Sequence, residues 1–273
     1  MTLTLLQWAI AFPVGIFLSM IGTLVGLGGG VFMVPILVLI FDVPLTTAIA
    51  VVTFCLLPSS FLSTILNARK RHIDYFAGIT LEIPTLFGAV LGAYLSTLLP
   101  VQPMETLFAM LVAYMGWRIL KGKPNLTTEG PFDRINKIPP VIERSNGDVT
   151  YRAGIPAIGF FGLISGVLAG MFGIGGGIIK TPVMLKIFRM PARRATATAL
   201  FMIVFTSATA AFSHWKLGRM DWSLALPLGG AFFCGSLIGN KVAGKIKATT
   251  VETMLGIVLA MASIAVLIHA WML

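Results

Sequence analysis

GLGGGVFMVP (residues 26–35) and GIGGGIIKTP (residues 173–182) are two copies of one motif in a strongly apolar chain. In each copy a glycine triplet is followed, five residues after its last glycine, by a proline. Glycine and proline are the two weakest helix formers. The paired motifs therefore predict that a helix is broken at the same place in two related parts of the chain.

The composition predicts an all-α, polytopic membrane protein. The chain has 273 residues, of which 57% are hydrophobic and 11% charged, whereas a soluble domain is about 25% charged. Residues 76–99 and 251–273 are long apolar runs, and each is long enough to cross the hydrocarbon core as a helix. The first apolar stretch lacks a basic leader and a cleavage site, so we expect it to remain as a membrane helix.

The net charge of +10 does not by itself indicate a nucleic-acid partner, because Lys and Arg collect in the cytoplasmic loops of membrane proteins. Cys55 and Cys234 lie in apolar runs without CxxC spacing and are interpreted as small core residues. His72, His214 and His269 show no zinc-binding spacing. The glycine triplets do not match a nucleotide-binding loop. We therefore predict no metal, no cofactor and no nucleic-acid partner.

The chain repeats itself at an offset of 147 residues, which places Gly28 on Gly175 and Pro35 on Pro182 without any insertion. The same offset matches Phe54 with Phe201, Ser60 with Ser207, Asp74 with Asp221, and Glu105 with Glu252. The sequence therefore predicts a first transmembrane repeat over residues 1–120 and a second over residues 153–273. Residues 121–152 mix charges with Pro, Gly and Asn and are predicted to form an irregular cytoplasmic loop.

Each repeat offers a long helix, the glycine turn, a short apolar piece and three further long helices. The predicted segments are 5–26, 31–41, 46–66, 75–99 and 103–120, followed by 153–172, 178–188, 193–214, 222–246 and 250–271. An eleven-residue helix is only about 16 Å long, so the short piece is expected to be a half-helix.

The distribution of Lys and Arg favours repeats that are inverted relative to each other. With five segments per repeat, sixteen of these residues lie on the cytoplasmic side of the membrane and two, Lys216 and Arg219, lie on the outer side. Four crossings per repeat would make the repeats parallel and give twelve against six. The first arrangement agrees better with the positive-inside rule. Its inside residues are 69–71, 118, 121, 123, 134, 137, 144, 152, 189, 193, 194, 241, 245 and 247.

Inverted repeats with broken helices are typical of secondary transporters, whose substrate sites lie near the midplane between the repeats. A helix that begins inside the membrane leaves its first N–H groups unpaired, and these groups favour an anion. The residues predicted to bind the anion are Gly28, Gly29, Gly30, Gly175, Gly176 and Gly177. The alternative is that these glycines only allow close helix packing.

The doubled glycine–proline motif, in two related halves joined by a polar loop, resembles the TauE/SafE sulfite exporter family. The resemblance covers the chain outside the central loop. It implies a multi-pass protein of the bacterial cytoplasmic membrane that moves a sulfur-containing anion such as sulfite, thiosulfate or an organosulfonate like sulfoacetate. The second copy of the motif has Lys180 where the first has Met33, so we expect an asymmetric site.

Two charged residues lie inside predicted membrane segments. Lys180 is a candidate partner for the substrate anion, since a cation in the membrane is expensive to bury; alternatively it extends its amine to the interface. Glu82 is a candidate for proton coupling, or else a partner for a basic residue.

Hydroxyl groups in the matched helices are further candidates. Thr53, Ser59, Ser60, Thr206 and Ser207 could donate to an oxyanion, although Ser and Thr in membrane helices often bond their own backbone or a neighbouring helix. Arg193 and Arg194 are a possible anion gate or simply determinants of topology. Asp74 and Asp221 are predicted to cap helices, and Glu105 and Glu252 to lie in first helical turns.

The pattern favours a secondary transporter that moves an anion by alternating access. An anion-selective channel and a transporter of a carboxylate or another non-sulfur anion remain alternatives. An intramembrane enzyme is not predicted, because no nucleophile–base pair or metal cluster is visible. The expected partners are the small anion and the lipid bilayer, and the sequence leaves open whether the chain forms a homodimer.

Overall fold

The computed structural model describes residues 4–121, 133–146, 149–243, 256, 259–268 and 271. Most of these residues are helical, and the only sheet among them is a two-stranded hairpin. The elements are α1 (Leu5–Val25), α2 (Gly30–Phe41), α3 (Leu45–Arg69), α4 (Tyr75–Leu98), α5 (Val101–Leu120), α6 (Asp133–Asn136), β1 (Val141–Asn146), β2 (Val149–Gly154), α7 (Ile155–Phe172), α8 (Gly177–Pro182), α9 (Ala192–Lys216), α10 (Trp222–Val242) and α11 (Leu259–Ile268).

Six of the described helices are long and apolar enough to cross a membrane, namely α1, α3, α4, α7, α9 and α10. The helices α2 and α11 are shorter and apolar. The prediction of a mostly helical membrane protein is confirmed, although the β1–β2 hairpin means that the chain is not all-α.

Left-handed backbone conformations at glycine interrupt the chain at both motifs. The helix α1 ends at Gly26, and the φ angles of Gly28 and Gly29 are 75° and 88°. At the second motif, φ is 68° at Gly175 and 71° at Gly176. Side-chain-bearing L-residues rarely adopt this conformation, whereas glycine does so at little cost. The glycine triplets therefore allow α2 and α8 to begin immediately after a sharp turn.

The short pieces differ between the two motifs. The helix α2 is regular over twelve residues, but α8 ends after six residues at Pro182 and continues as a π-helical turn over Val183–Ile187. The plain helix predicted over 178–188 is therefore wrong. In the π-helical turn, the amide of Phe188 donates to the carbonyl of Val183 at 3.1 Å. The Asn136 side chain also donates to the carbonyl of Ile187 at 3.1 Å, which holds the end of this turn.

Helices from the two repeats are interleaved. The helix α1 packs against α10, and α7 packs against α4. The repeat offset places α1 on α7 and α4 on α10, so each of these contacts is the counterpart of the other. At the centre α3 packs against its own counterpart, α9. The folded core is therefore shared between the repeats.

Two aromatic contacts fix the directions of the central helices. The rings of Phe54 and Trp222 are 5.3 Å apart, and so are the rings of Tyr75 and Phe201, which are their counterparts. The beginning of α4 therefore lies beside Phe201 in the first half of α9, and the beginning of α10 lies beside Phe54 in the first half of α3. Since α4 follows α3 and α10 follows α9, the end of each central helix lies toward the first half of the other. The helices α3 and α9 consequently run in opposite directions.

Small residues bring the interleaved helices into backbone contact. A Cβ atom on Gly166 of α7 would overlap the carbonyl oxygen of Thr85 on α4, and one on Gly170 would overlap that of Ala89. The matching pair shows the same crowding, because a Cβ atom on Gly235 of α10 would overlap the carbonyl oxygen of Ile16. Such close approach is how membrane helices gain packing energy in lipid.

The predicted helix caps are confirmed. Asp74 accepts from the amide of Ala77 at 3.1 Å, and Asp221 accepts from the amide of Ser223 at 3.0 Å. The prediction for Glu105 is wrong, because α5 begins at Val101 and Glu105 falls in the second turn. Proline is tolerated in a first turn, so Pro103 does not delay the start of α5. Glu252 lies outside the described residues.

Part of the linker is ordered, contrary to the predicted irregular loop. The strands β1 and β2 pair in antiparallel register with Glu143 opposite Arg152, and these two side chains form an ion pair. Tyr151 and Ala153 of β2 are buried against the ends of the membrane helices. Only β2 alternates apolar with polar residues, at Val149, Tyr151 and Ala153, and β1 shows no such alternation, so the sequence gives a weak strand signal here.

The two cysteines differ in their surroundings. Cys55 is buried in α3 as predicted, but Cys234 is exposed on α10, so its assignment to the core is wrong. An apolar run in a membrane helix does not distinguish a residue facing the core from one facing lipid, because both environments are apolar.

We expect Gly166→Ala to lower the free energy of unfolding by about 2 kcal/mol, because the added methyl group overpacks the contact between α7 and α4. The matched control is Gly159→Ala on the same helix, where a Cβ atom would meet nothing within 4 Å. Thermal unfolding of both variants in detergent measures the difference. Equal stability of the two variants would contradict the packing argument.

Candidate functional site

A closed cluster of polar side chains lies between α4, α8 and α9. Lys180 Nζ is 2.5 Å from Glu82 Oε2 and 2.6 Å from Thr206 Oγ1. The Thr206 hydroxyl is 2.5 Å from Glu82 Oε1, to which it donates. Lys180 is 1% exposed and Glu82 4% exposed. We call these three residues the Lys180–Glu82–Thr206 cluster.

The second glycine turn places Lys180 in this position. The amide of Lys180 donates to the carbonyl of Gly176 at 3.2 Å, and side chains of a helix lean toward its N-terminus. A Cβ atom on Gly176 would lie 3.4 Å from Lys180 Cε and 2.8 Å from Ser165 Oγ. The Ser165 hydroxyl donates to the same Gly176 carbonyl at 2.9 Å. The absent side chain at Gly176 therefore provides room for the lysine.

Burial of Lys180 and Glu82 is tolerated because each neutralises the other. Removing two charges from water costs several kcal/mol for each ion, and only good geometry with further hydrogen bonds offsets that cost. The Thr206 hydroxyl supplies such bonds to both charged groups. The interpretation in which Lys180 extends to the interface is wrong, since its amine lies inside the protein.

The position related to this cluster by the repeat offset has no charges. The offset places Lys180 on Met33, Glu82 on Gly229 and Thr206 on Ser59. Met33 is fully buried, and Ser59 accepts a hydrogen bond from Ser19 at 3.3 Å. One of the two related positions is therefore charged and the other is uncharged.

The two glycine turns lie directly against each other. A Cβ atom on Gly30 would lie 2.9 Å from the carbonyl oxygen of Gly173, and one on Gly177 would lie 2.6 Å from that of Gly26. The Thr181 hydroxyl also donates to the Gly26 carbonyl at 3.3 Å. The beginnings of α2 and α8 thus meet where the two repeats are in contact.

Apolar side chains from the central helices close over these turns. Leu56 of α3 reaches the positions where Gly28 and Gly175 would carry a Cβ atom, at 2.7 Å and 2.9 Å. Ile203 of α9, the counterpart of Leu56, contacts the same two positions. The site is therefore closed between α3 and α9 in this structure.

Three of the other predicted hydroxyls bond within their own helices, while Ser59 accepts from Ser19 of α1. Thr53 donates to the carbonyl of Ile49, Ser60 to that of Leu56, and Ser207 to that of Val204. Of the five hydroxyl residues singled out in the sequence, Thr206 is the one that joins the charged cluster. Sequence reasoning did not identify Ser165, for which only its place about two helical turns before Gly173 gave a signal.

Arg193 and Arg194 lie away from the cluster, at the beginning of α9. Partial burial, together with the charges of Arg193, Lys70 and Arg194, lowers the pKa of His72 in the loop between α3 and α4. These basic residues therefore gather at one end of the helices. Within the described part of the chain, no group of three His, Cys, Asp or Glu residues could hold a metal ion.

Six membrane-length helices around a buried polar cluster define an integral, multi-pass α-helical membrane protein. The profile of the sulfite exporter TauE/SafE family matches residues 11–266. The chain belongs to this family of membrane transporters.

Relatives of similar length support this assignment. The chain is 30% identical to the probable membrane transporter protein YunE of Bacillus subtilis, over 93% of this chain and 95% of that protein. It is 28% identical to a probable membrane transporter protein of Methanocaldococcus jannaschii, over 93% of both chains. It is also 34% identical, over 39% of this chain and 25% of that protein, to sulfite exporter TauE/SafE family protein 1 of Arabidopsis thaliana. No solved structure matches the chain significantly.

We expect Lys180→Met to lower the free energy of unfolding by about 3–5 kcal/mol, because it leaves the Glu82 carboxylate buried without its cation. The double variant Lys180→Met with Glu82→Gln removes both charges and should recover most of that loss. Thermal unfolding in detergent measures both effects. Lys186→Met, at a partly exposed lysine of the same segment, is the control and should cost less. A double variant as unstable as the single one would contradict this account.

Proposed function

We propose that this protein is a secondary transporter that moves a small sulfur-containing oxyanion by alternating access across the bacterial cytoplasmic membrane. The candidate substrates are sulfite, thiosulfate and organosulfonates such as sulfoacetate. The observation that carries the proposal is Lys180, a fully buried cation beside the glycine turn where the two repeats meet. An ionisable residue inside the membrane is a strong indicator of a substrate or ion pathway.

The proposed anion site combines Lys180 and Thr206 with the first amide groups of α2 and α8. The glycines that would form its backbone part are Gly28, Gly29, Gly30, Gly175, Gly176 and Gly177. Since Leu56 and Ile203 close over these turns, the anion could enter only after α3 and α9 move apart. This closure favours alternating access over a permanently open channel. Arg193 and Arg194, at the beginning of α9, are proposed to attract the anion toward the site.

The substrate class is supported by the family assignment. The Arabidopsis relative is named a sulfite exporter family protein, while the bacterial and archaeal relatives are named only as probable membrane transporters. Lysine and backbone amides would donate hydrogen bonds to the oxygen atoms of a sulfonate and of a sulfite in the same way. A carboxylate or another non-sulfur anion is the alternative substrate.

We further propose that residues 1–120 and 153–273 are inverted repeats joined by a cytoplasmic linker at 121–152. The opposite directions of α3 and α9, and the matched aromatic contacts that they make with the beginnings of α10 and α4, support this arrangement. The excess of Lys and Arg on one side supports the same orientation.

The substrate is tested with a thermal-shift panel on purified protein, using sulfite, sulfate, thiosulfate, sulfoacetate, taurine and acetate. A ligand that binds only the folded form raises the unfolding temperature. We expect the sulfur oxyanions to stabilise the protein and acetate to do so less. Stabilisation by acetate alone would indicate that the substrate is a carboxylate and not a sulfur oxyanion. An unfolding temperature that no member of the panel changes would reject the anion site.

Gly176→Ala should abolish the anion-induced thermal shift, because its methyl group would contact Ser165 and crowd Lys180. Gly218→Ala is the matched control, since Gly218 has the same φ of 71° but nothing within 4 Å of its Cβ position. Both variants carry the cost of a left-handed alanine. Equal anion binding by the two variants would show that the second glycine turn is not part of the anion site.

The proposed orientation is tested by labelling in a Cys234→Ser background with a membrane-impermeant maleimide. Gly218→Cys, in the loop between α9 and α10, should react in intact cells. Arg71→Cys, in the loop between α3 and α4, should react only after the membrane is opened, since the two loops follow antiparallel helices. Labelling of both positions from outside would contradict the inverted arrangement.

A further inference from the structure

The Glu82 carboxylate occupies the place at Lys180 that a substrate anion would need. Its two oxygens bond the Lys180 amine and the Thr206 hydroxyl, which are the two side-chain donors of the proposed site. A carboxylate presents two oxygens to a cation and a hydroxyl in much the same way as a sulfonate does. In this closed structure the protein itself therefore supplies the anion.

We propose that Glu82 is a proton-linked competitor of the substrate, so that the anion replaces it at Lys180 only when Glu82 has taken up a proton. The inference rests on the proposed function. In the empty site Glu82 is ionised and bonded to Lys180. In the loaded site Glu82 is neutral, Lys180 binds the substrate, and one proton enters with each anion.

The charge balance of the buried site carries this proposal. Lys180 and Glu82 together have no net charge. An anion that displaced an ionised Glu82 would leave two negative groups against one cation in a dry interior, which is the uncompensated arrangement that proteins avoid. A proton on a Glu82 oxygen forms an O–H bond and neutralises that carboxylate. With one proton on Glu82, a monovalent anion leaves the site neutral, and a divalent anion such as thiosulfate leaves one net negative charge instead of two.

No other ionised side chain can take over the role of Lys180 at Glu82 among the described residues. The helix α7, which packs along α4, has no ionisable residue between Ile155 and Phe172. The helix α9 faces Glu82 with Thr206, and its charged or titratable residues, Arg193, Arg194, His214 and Lys216, lie in its first or last turns. From α8, Lys180 alone contacts Glu82.

Thr206 has the hydrogen-bonding freedom that this exchange requires. Its hydroxyl donates to Glu82 Oε1 and lies 3.2 Å from the carbonyl oxygen of Met202 in its own helix. When Glu82 leaves, the hydroxyl can turn to this carbonyl or donate to the incoming anion. No buried donor is then left without an acceptor.

The position related to this cluster by the repeat offset lacks a second device of this kind. The counterparts of Lys180 and Glu82 are Met33 in the first repeat and Gly229 in the second. One carboxylate and one lysine therefore predict one proton per transport cycle.

The experiment measures binding of thiosulfate, sulfoacetate and sulfate to purified full-length protein at about pH 5.5 and about pH 8, where these anions keep their charge. If the anion and one proton bind together, the affinity of the wild type should fall by up to about tenfold per pH unit on going to pH 8. Glu82→Gln, which mimics the neutral carboxyl group, should bind the anion equally well at both pH values. Glu105→Gln, at a buried glutamate of α5 outside the cluster, should keep the pH dependence of the wild type.

Transport in proteoliposomes gives a second readout. Glu82→Gln should retain counterflow of the bound anion and lose uptake driven by a proton gradient. Since Glu82→Gln leaves Lys180 without its counterion and could fail to fold, proton uptake is also measured on the wild type. Adding thiosulfate to weakly buffered protein should raise the pH, as a pH-sensitive dye reports.

Anion binding that is equally strong at both pH values and releases or consumes no proton would overturn the competitor role and leave the proposed transporter intact. Failure of all three anions to bind at either pH would instead reject the anion site and the proposal that rests on it. Proton-driven uptake by Glu82→Gln equal to that of the wild type would overturn the role of Glu82 alone.

Discussion

The fold depends on one constraint, which is that a helix broken inside a membrane must hide the freed backbone from lipid. Lipid offers no hydrogen bonds, so irregular backbone at membrane depth survives only inside the protein. Here each glycine turn is covered mainly by the other, with Gly30 beside Gly173 and Gly177 beside Gly26. The interleaving of α1 with α10 and of α7 with α4 follows from the same need, since it surrounds both turns with helices of the opposite repeat.

The burial of the glycine turns also determines which charged groups lie at the site and how they are paired. Because the turn at Gly176 is buried, the lysine one helical turn later is buried with it, and a charge there must find a partner within reach. Glu82 on α4 and Thr206 on α9 meet this need. The cluster therefore links α4, α8 and α9, and any movement that separates these elements must break a buried ion pair or replace it. In the proposed mechanism, the exchange of the Glu82 carboxylate for the substrate anion provides the replacement.

The sequence predicted the parts of this arrangement that follow from pattern and composition. Apolar runs located the long helices, and the matched motifs located both breaks. Lys180 and Glu82 stand out because charges are costly in apolar segments, and Thr206 because its hydroxyl matches that of Ser59 in the other repeat and could donate to an oxyanion. Their contact could not be predicted, because it joins residues 98 and 124 positions apart in the chain through the interleaving of the repeats. The hairpin at 141–154 and the π-helical turn after Pro182 were missed because tertiary contacts, such as that from Asn136 to Ile187, determine local structure there.

The two positions related by the repeat offset differ in charge, and the structure gives a physical reason for this difference. Two equivalent charged clusters would place two ion pairs at the closely packed contact between the glycine turns, and each would add its own desolvation cost. Met33 lies in the first repeat and Gly229 in the second, and at this related position Phe54 lies against Gly229. The charged cluster likewise combines both repeats, with Glu82 from the first and Lys180 and Thr206 from the second. One of the two related positions is therefore uncharged, and the desolvation cost of a buried ion pair arises at the other alone.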